Sequence, residues 1–158
     1  MAAPYVTRAP FDPERPETLV VCCSDGRYHG PIEEFVRAQV SERPDLFAVP
    51  GGPATIDAWA SSFDHARVFD SSLELLFQSH DLQSAWLIAH QGCAFYRHKH
   101  GQLADDATRA RQFTDLRRAR TLLLERRPKL DVHLVFAKVA DGRVTFAELD
   151  AEPLDAKR

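Results

Sequence analysis

Runs of apolar residues divide the chain into short blocks that have the character of strands. Three of these runs are continuous and rich in β-branched or aliphatic side chains, which is typical of strands buried on both faces of a parallel sheet. They are Thr18–Cys23, Asp45–Val49 and Ala85–Ala89. Two further runs, Asp131–Val139 and Arg143–Leu149, alternate around Asp141-Gly142, which predicts an antiparallel hairpin.

Between these runs, apolar residues recur every three or four positions, which predicts helices. One helix opens at Pro31, a residue well placed in a first helical turn, and carries Ile32, Phe35, Val36 and Val40. Others are predicted at about Val68–Ser79 and at Asp105–Arg127, where Pro128 ends the pattern.

The predicted order is therefore β-α-β-α-β-α-β-β, an α/β fold. It implies a mostly parallel central sheet of about five strands, with helices on both faces and a C-terminal antiparallel hairpin strand. Ligands in such folds collect at the carboxyl ends of the strands. Cys23, Pro50-Gly51-Gly52 and His90 all fall at predicted strand ends, so we expect them to meet at one rim.

Composition narrows the range of partners. The prolines at positions 4, 10, 13 and 16 predict an extended N-terminal arm over residues 1–16, followed by a single domain over 17–158. A net charge of -3 gives no reason to expect nucleic acid or an anionic membrane as a partner, and the Arg-rich stretch Arg109–Arg127 reads as a solvated helix face. Without a spanning run or a secretory signal, we expect a cytoplasmic protein.

The strongest chemical signal is Cys23 after the first strand together with His90 and Cys93 after the third. Catalytic zinc takes three protein ligands, often thiolates and imidazoles, and keeps a fourth position open. Only one of Cys22 and Cys23 can face such a site, because successive strand side chains point to opposite faces. An alternative interpretation makes the cysteines small buried hydrophobic residues and His90 an ordinary rim histidine. A thioredoxin-like redox site is disfavoured because the sequence lacks Cys-x-x-Cys.

Asp25 and Arg27 stand beside this predicted Zn²⁺ site. Their spacing in an extended turn allows a charge-assisted pair that keeps Asp25 ionised and able to orient a nucleophile. Released from Arg27, Asp25 could instead fill the fourth metal position; a plain surface ion pair is the alternative. Gly51 and Gly52 could line a substrate pocket with backbone N–H groups, or form only a tight connection. His98 and His100 could carry protons, although an exposed polar turn is the simpler interpretation.

Together, Cys-Ser-Asp-Gly-Arg at 23–27 and His-Gln-Gly-Cys at 90–93 resemble the paired motifs of the β-class carbonic anhydrases. The resemblance covers roughly Thr18 to Leu149 and implies a divergent, compact member. It implies Cys23, His90 and Cys93 as zinc ligands, Asp25 and Arg27 as the gating and orienting pair, and reversible hydration of carbon dioxide to bicarbonate by a zinc-bound hydroxide. A homodimer or higher homo-oligomer is also implied. Because two thiolates weaken the acidifying effect of zinc, we expect activity to favour alkaline pH.

The chain departs from the family pattern at several positions. Ala48-Val49-Pro50-Gly51-Gly52 stands where the family usually has Arg-Asn-Ala-Gly-Gly, and Ala94 replaces the usual glycine after the second cysteine ligand. The sequence predicts no counterpart of the N-terminal helices that embrace a partner in many members, and the glutamine that they supply is not located. Two other functions therefore stay open: a zinc hydrolase acting on carbonyl sulfide or carbon disulfide, and a non-enzymatic zinc protein closed by Asp25.

Overall fold

A computed structural model describes residues 3–41 and 43–150 and contains one five-stranded sheet in the order β2-β1-β3-β4-β5. Its strands are β1 (Thr18–Cys23), β2 (Asp45–Val49), β3 (Ser84–His90), β4 (Asp131–Ala140) and β5 (Arg143–Leu149). Neighbouring strands run parallel except β4 and β5, which pair antiparallel across the turn at Asp141-Gly142. The predicted α/β class, the strand count and the terminal hairpin are confirmed.

Helices cover both faces of the sheet, also as predicted. They are α1 (Gly26–Gln39), α2 (Phe63–Ser79), α3 (Ala94–His100) and α4 (Asp105–Arg126), with a short 3₁₀ helix at Gly52–Ile56. Helices α2 and α4 pack on the face that carries Leu19 and Val21, whereas α1 packs on the face of Val20 and Cys22. Alternate residues of β1 thus enter two separate cores. In the described residues, no helix is both long enough and apolar enough to cross a bilayer.

Two helix starts differ from the sequence-based prediction, and one helix was not predicted. Helix α1 begins at Gly26 rather than Pro31, because the Asp25 side chain accepts a hydrogen bond from the Arg27 N–H and so caps an earlier turn. Helix α2 begins at Phe63 rather than Val68, because Ser62 caps it and polar residues in its first turns conceal the apolar spacing. A short helix, α3, forms where a polar turn was predicted around His98 and His100.

Strand β2 is not buried on both faces, contrary to the prediction from its apolar run. It lies at the edge of the sheet and pairs only with β1. The side chain of Phe47 packs against the core under α2, whereas Leu46 and Ala48 point to the opposite face and stay exposed. Residues 3–16 contain neither helix nor strand, and Asp12 and Glu14 pair with Arg43, which lies just before β2.

Candidate metal centre

The three predicted metal ligands come from adjacent segments at one rim of the sheet. Cys23 is the last residue of β1, His90 is the last residue of the neighbouring β3, and Cys93 directly precedes α3. Because parallel neighbours end at the same edge, the strand termini bring the two separate motifs together. All three side chains are buried. The structure therefore brings together the set that ligand chemistry singled out.

The spacing of these side chains suits one small ion. Their ligand atoms all lie within 4.8 Å of one another, and the Sγ atoms of Cys23 and Cys93 are 3.8 Å apart. Two thiolates on a tetrahedral zinc stand about 3.8 Å apart, since each Zn–S bond is about 2.3 Å long. The two cysteines thus already have the separation that zinc requires.

The protonation of His90 leaves one ring nitrogen free for a metal. Its Nδ1 lies 2.9 Å from the Gln91 carbonyl oxygen, which can only accept, so Nδ1 carries the hydrogen and donates it. The opposite nitrogen, Nε2, is buried and has no hydrogen-bond partner among the described residues. A buried, unsatisfied acceptor beside two thiols is the pattern expected of a metal ligand whose other nitrogen is already held.

The two thiols share a proton unequally. Donation by the Cys93 thiol lowers the pKa of Cys23, aided by the backbone N–H groups of Gly51 and Asp25, and these hydrogen bonds outweigh the effect of burial. The pKa of Cys93 is raised, because its thiol donates to the Cys23 sulfur and because it is buried. A cation bound by both sulfurs would displace the proton that they share.

Asp25 and Arg27 form the predicted ion pair beside this cluster. Arg27 donates from its backbone N–H at 3.1 Å and from Nε at 3.0 Å to Asp25 Oδ1, and from Nη2 to Oδ2. These hydrogen bonds hold the pKa of Asp25 well below its usual range. Arg27 Nη2 also lies 3.4 Å from the Gly92 carbonyl oxygen, in the loop between His90 and Cys93. In the described residues, the group of possible ligands does not include Asp25.

The two predicted glycines lie directly against the ligand segments. A Cβ on Gly52 would come within 2.7 Å of backbone atoms of Cys22 and Cys23, and one on Gly51 would meet the ring of Phe95 at 2.7 Å. Both glycines have positive φ values, of 52° and 86°. Close approach to the end of β1 is therefore what requires glycine here.

His98 and His100 lie on α3 and are not part of the ligand group found among the described residues. Sequence reasoning also missed two residues that contact the His90 segment. Tyr28 donates from its hydroxyl to the Gln91 carbonyl at 2.8 Å, and Gln112 donates from Nε2 to the His90 carbonyl at 2.8 Å. The helical spacing of Gln112 with Leu116, Ala119 and Leu123 could have revealed it as a buried amide; no comparable signal marked Tyr28.

A cavity of about 320 Å³ adjoins Gly92 and Cys93 on the side of α4. Arg97 and Lys138 contribute positive charge to its described lining, Asp105 contributes a carboxylate, and Arg109 is paired with Asp106. This excess of positive charge favours small anions near the ligand loop.

Comparison with known proteins gives no match at the level of sequence. No family model matches the chain, and a search of curated proteins found no match either. Among solved structures, isoform I of the β-carbonic anhydrase from the protozoan Trichomonas vaginalis is similar, with a TM-score of 0.54 at 14% identity. The match covers 90% of this chain and 87% of that chain.

The β-carbonic anhydrase CcaA is similar with a TM-score of 0.53 at 14% identity, over 89% of this chain and 80% of that chain. At such identity the likeness is one of architecture, and it agrees with the resemblance drawn from the two motifs. In its sheet and in the course of its chain, this protein has the fold of the β-carbonic anhydrases.

Proposed function

We propose that this protein is a zinc enzyme that reversibly hydrates carbon dioxide to bicarbonate, a lyase of the carbonate dehydratase type. The observation that carries the proposal is the convergence of Cys23, His90 and Cys93 within 4.8 Å, with the Asp25–Arg27 pair alongside. That two similar structures are β-carbonic anhydrases supports it. The first requirement, a three-ligand zinc site, agrees with the sulfur separation and with the free Nε2 of His90.

Bound zinc supplies Lewis-acid activation of water, which makes a nucleophile available near neutral pH. The protein's own groups then determine orientation. Asp25, ionised and held by Arg27, accepts a hydrogen bond from the nucleophile and fixes the direction of its lone pair. Arg27 fixes Asp25 in turn and ties it to the Gly92 carbonyl, so the orienting carboxylate and the ligand loop keep one relative position.

The engagement of Asp25 also bears on the alternative of a closed, non-enzymatic site. Both carboxylate oxygens accept from Arg27, and the carboxylate stands outside the ligand group found among the described residues. An open fourth position agrees with this arrangement. The positively charged cavity beside Gly92 and Cys93 suits an anionic product such as bicarbonate.

The test combines metal content with the rate of carbon dioxide hydration. Protein purified without chelator should hold about one zinc per chain and be active, and Asp25→Asn should keep zinc but lose about tenfold or more in rate. Glu74→Gln is the matched control, because Glu74 of α2 also pairs with an arginine, Arg127, at 2.9 Å. Stoichiometric zinc without hydration between pH 7 and 9 would contradict the reaction, and absence of metal would contradict the zinc site.

The remaining expectations belong to the same proposal. The three free thiols suit a reducing compartment such as the cytoplasm. Self-association uses the exposed edge of the sheet, where β2 leaves Leu46 and Ala48 uncovered beside α1. The rim of this groove carries both Glu33 and Arg37. A two-fold axis can place Glu33 of one copy opposite Arg37 of the second copy, and Arg37 opposite Glu33.

A further inference from the structure

The imidazole of His90 depends on one carbonyl group for its orientation. The Gln91 carbonyl oxygen accepts from His90 Nδ1 at 2.9 Å and from the Tyr28 hydroxyl at 2.8 Å. A carbonyl oxygen has two lone pairs, so both hydrogen bonds can form together. The direction of this single carbonyl therefore decides whether Nδ1 has an acceptor and whether Nε2 points toward the sulfur atoms of Cys23 and Cys93.

Among the residues that the structure describes, no further hydrogen bond holds this carbonyl or the Gly92 N–H of the same peptide. The Gln91 N–H belongs to the preceding peptide and donates to the Ala137 carbonyl at 2.9 Å, and the Gln91 side chain accepts from the Val139 N–H at 3.1 Å. The peptide between residues 91 and 92 leads into Gly92, which has a φ of 69° and where an added Cβ would meet nothing within 4 Å. A glycine at this point lets the plane rotate at low cost.

Tyr28 is itself rigidly placed. It lies in the first turn of α1, its backbone N–H donates to the Asp25 carbonyl at 3.0 Å, and its side chain is 5% exposed. The ring packs against the His90 ring, with centroids 4.1 Å apart and planes inclined by 38°. The same side chain thus contacts the imidazole and restrains the acceptor of its Nδ1 proton.

We propose that Tyr28 is a positioning residue for the metal ligand His90. Its hydroxyl holds the plane of the peptide between residues 91 and 92 so that the carbonyl faces Nδ1, which fixes the Nδ1–H tautomer and presents Nε2 to the two thiols before any ion arrives. The inference rests on the metal site of the proposed function and does not depend on the reaction. Groups that orient a histidine ligand typically contribute 10- to 100-fold to metal affinity.

The test is Tyr28→Phe, which removes the hydroxyl and keeps the ring. We expect zinc affinity, measured by competition with a chromogenic chelator, to fall about tenfold or more. In metal-free protein, ¹⁵N chemical shifts of the His90 ring should show the Nδ1–H tautomer alone in the wild type and a mixture in the variant. The control is Ser84→Ala, which removes a partly buried hydroxyl that donates to Thr18 Oγ1 at 3.1 Å, at the ends of β3 and β1 opposite to the site.

Ser84→Ala should leave both zinc affinity and the His90 tautomer unchanged, and urea unfolding checks that both variants stay folded. Equal affinity and an unchanged tautomer in Tyr28→Phe would overturn the inference, as would equal losses of affinity in the two variants. The tautomer is read without metal, so a wild type that fails to bind zinc would defeat the proposed function while the role of Tyr28 is still decided.

Discussion

The adjacent residues Cys22 and Cys23 have opposite surroundings because they are neighbours on a strand. Cys23 points to the rim and meets Cys93, whereas Cys22 packs with Ile32 and Val36 under α1. Burial, together with the nearby Cys23 thiolate, raises the pKa of Cys22 to about 12. Cys22 lies in the core under α1, away from the group formed by Cys23, His90 and Cys93, so one sulfur belongs to the site and the other to the core.

Removing each sulfur in turn should separate these roles. Cys23→Ala should abolish stoichiometric zinc binding, because it leaves two ligands from a single loop. Cys22→Ala should bind zinc normally and lose about 1 kcal/mol of unfolding free energy through the small cavity that it creates. Metal analysis and urea unfolding check both variants. Comparable zinc loss in the two variants would contradict the assignment of Cys23, rather than Cys22, as the ligand that β1 supplies.

Gly52 makes a second residue-scale prediction. In Gly52→Ala, the methyl group would clash with backbone atoms of Cys22 and Cys23 at 2.7 Å, so the end of β1 must shift. We expect a loss of about 2 kcal/mol or more in unfolding free energy and weaker zinc binding. Gly142→Ala is the control, because Gly142 also has a positive φ but has nothing within 4 Å of the added methyl group. It should lose about 1 kcal/mol and bind zinc normally; equal zinc affinity in both variants would contradict the prediction.

At the scale of elements, the sequence was sufficient to predict the position of a residue wherever the order of strands alone determines that position. Strand β1 and the hairpin strand β5 have the bounds that apolar patterning predicted, and the ends of β1 and β3 bring Cys23 and His90 together. Parallel order forces this meeting, whatever the side-chain detail. The fold and the three-ligand cluster therefore followed from the strand pattern.

The sequence was insufficient where a contact depends on the start and rotation of a helix. Placing the start of α1 at Pro31 left Tyr28 in a loop, whereas the cap at Asp25 turns it toward His90. The burial of β2 was misjudged for a related reason, because an apolar run does not reveal whether a strand lies at a sheet edge. Such contacts are fixed only when elements pack, so patterning along the chain does not contain them.

The segment between the 3₁₀ helix and α2 is held by charges from two other helices. The Asp57 carboxylate is buried and accepts from Arg118 of α4 and from the Trp59 N–H. Lys99 of α3 donates to the carbonyl groups of Trp59 and Ala60. Ala54 and Ala60 pack with Cys23 and Cys93. We call the contacts of Arg118 with Asp57 and of Lys99 with Trp59 and Ala60 the clamp. The clamp holds a segment that packs against the candidate metal centre.

Because the clamp includes the ionised Asp57 carboxylate, we expect its contribution to the free energy of unfolding to depend on pH. Burial opposes ionisation of Asp57, but the bonds from Arg118 and Trp59 outweigh it and hold the pKa below its usual value. A depressed carboxyl pKa contributes stability above the unfolded-state value of about 4, and that contribution is lost as pH falls through the folded-state pKa. Asp57→Asn should cost about 1–3 kcal/mol at pH 6, and its deficit relative to wild type should shrink toward pH 2–3.

Urea unfolding of both proteins across this pH range checks the dependence. Asp106→Asn serves as control, because its side chain is 86% exposed and pairs with Arg109 at the surface. That variant should stay within about 0.5 kcal/mol of wild type throughout. A deficit for Asp57→Asn that stays constant between pH 6 and pH 2 would show that the carboxylate charge is not what Arg118 stabilises.

At the scale of the whole molecule, the two edges of the sheet are unlike. Strand β5 is one edge and pairs antiparallel with β4. Strand β2 is the other edge, and its Leu46 is 62% exposed beside an apolar groove of about 350 Å³. The groove lies between β2 and α1, and Ile32, Val36 and Pro44 contribute to it. An uncovered edge with apolar side chains favours pairing with another chain, and a second copy offers the same surface in return.

Disrupting this surface should separate the subunits. If two copies meet at β2, light scattering should give the wild type a mass of at least twice 17.8 kDa, and Leu46→Lys should move it toward 17.8 kDa, because a buried unpaired ammonium opposes contact. Leu75→Lys is the matched control, since Leu75 lies on α2 and is 63% exposed. It should keep the wild-type mass. A wild type that is monomeric at tens of micromolar would contradict pairing through β2, as would equal masses for the wild type and Leu46→Lys. Dissociation by Leu75→Lys alone would place the interface on α2.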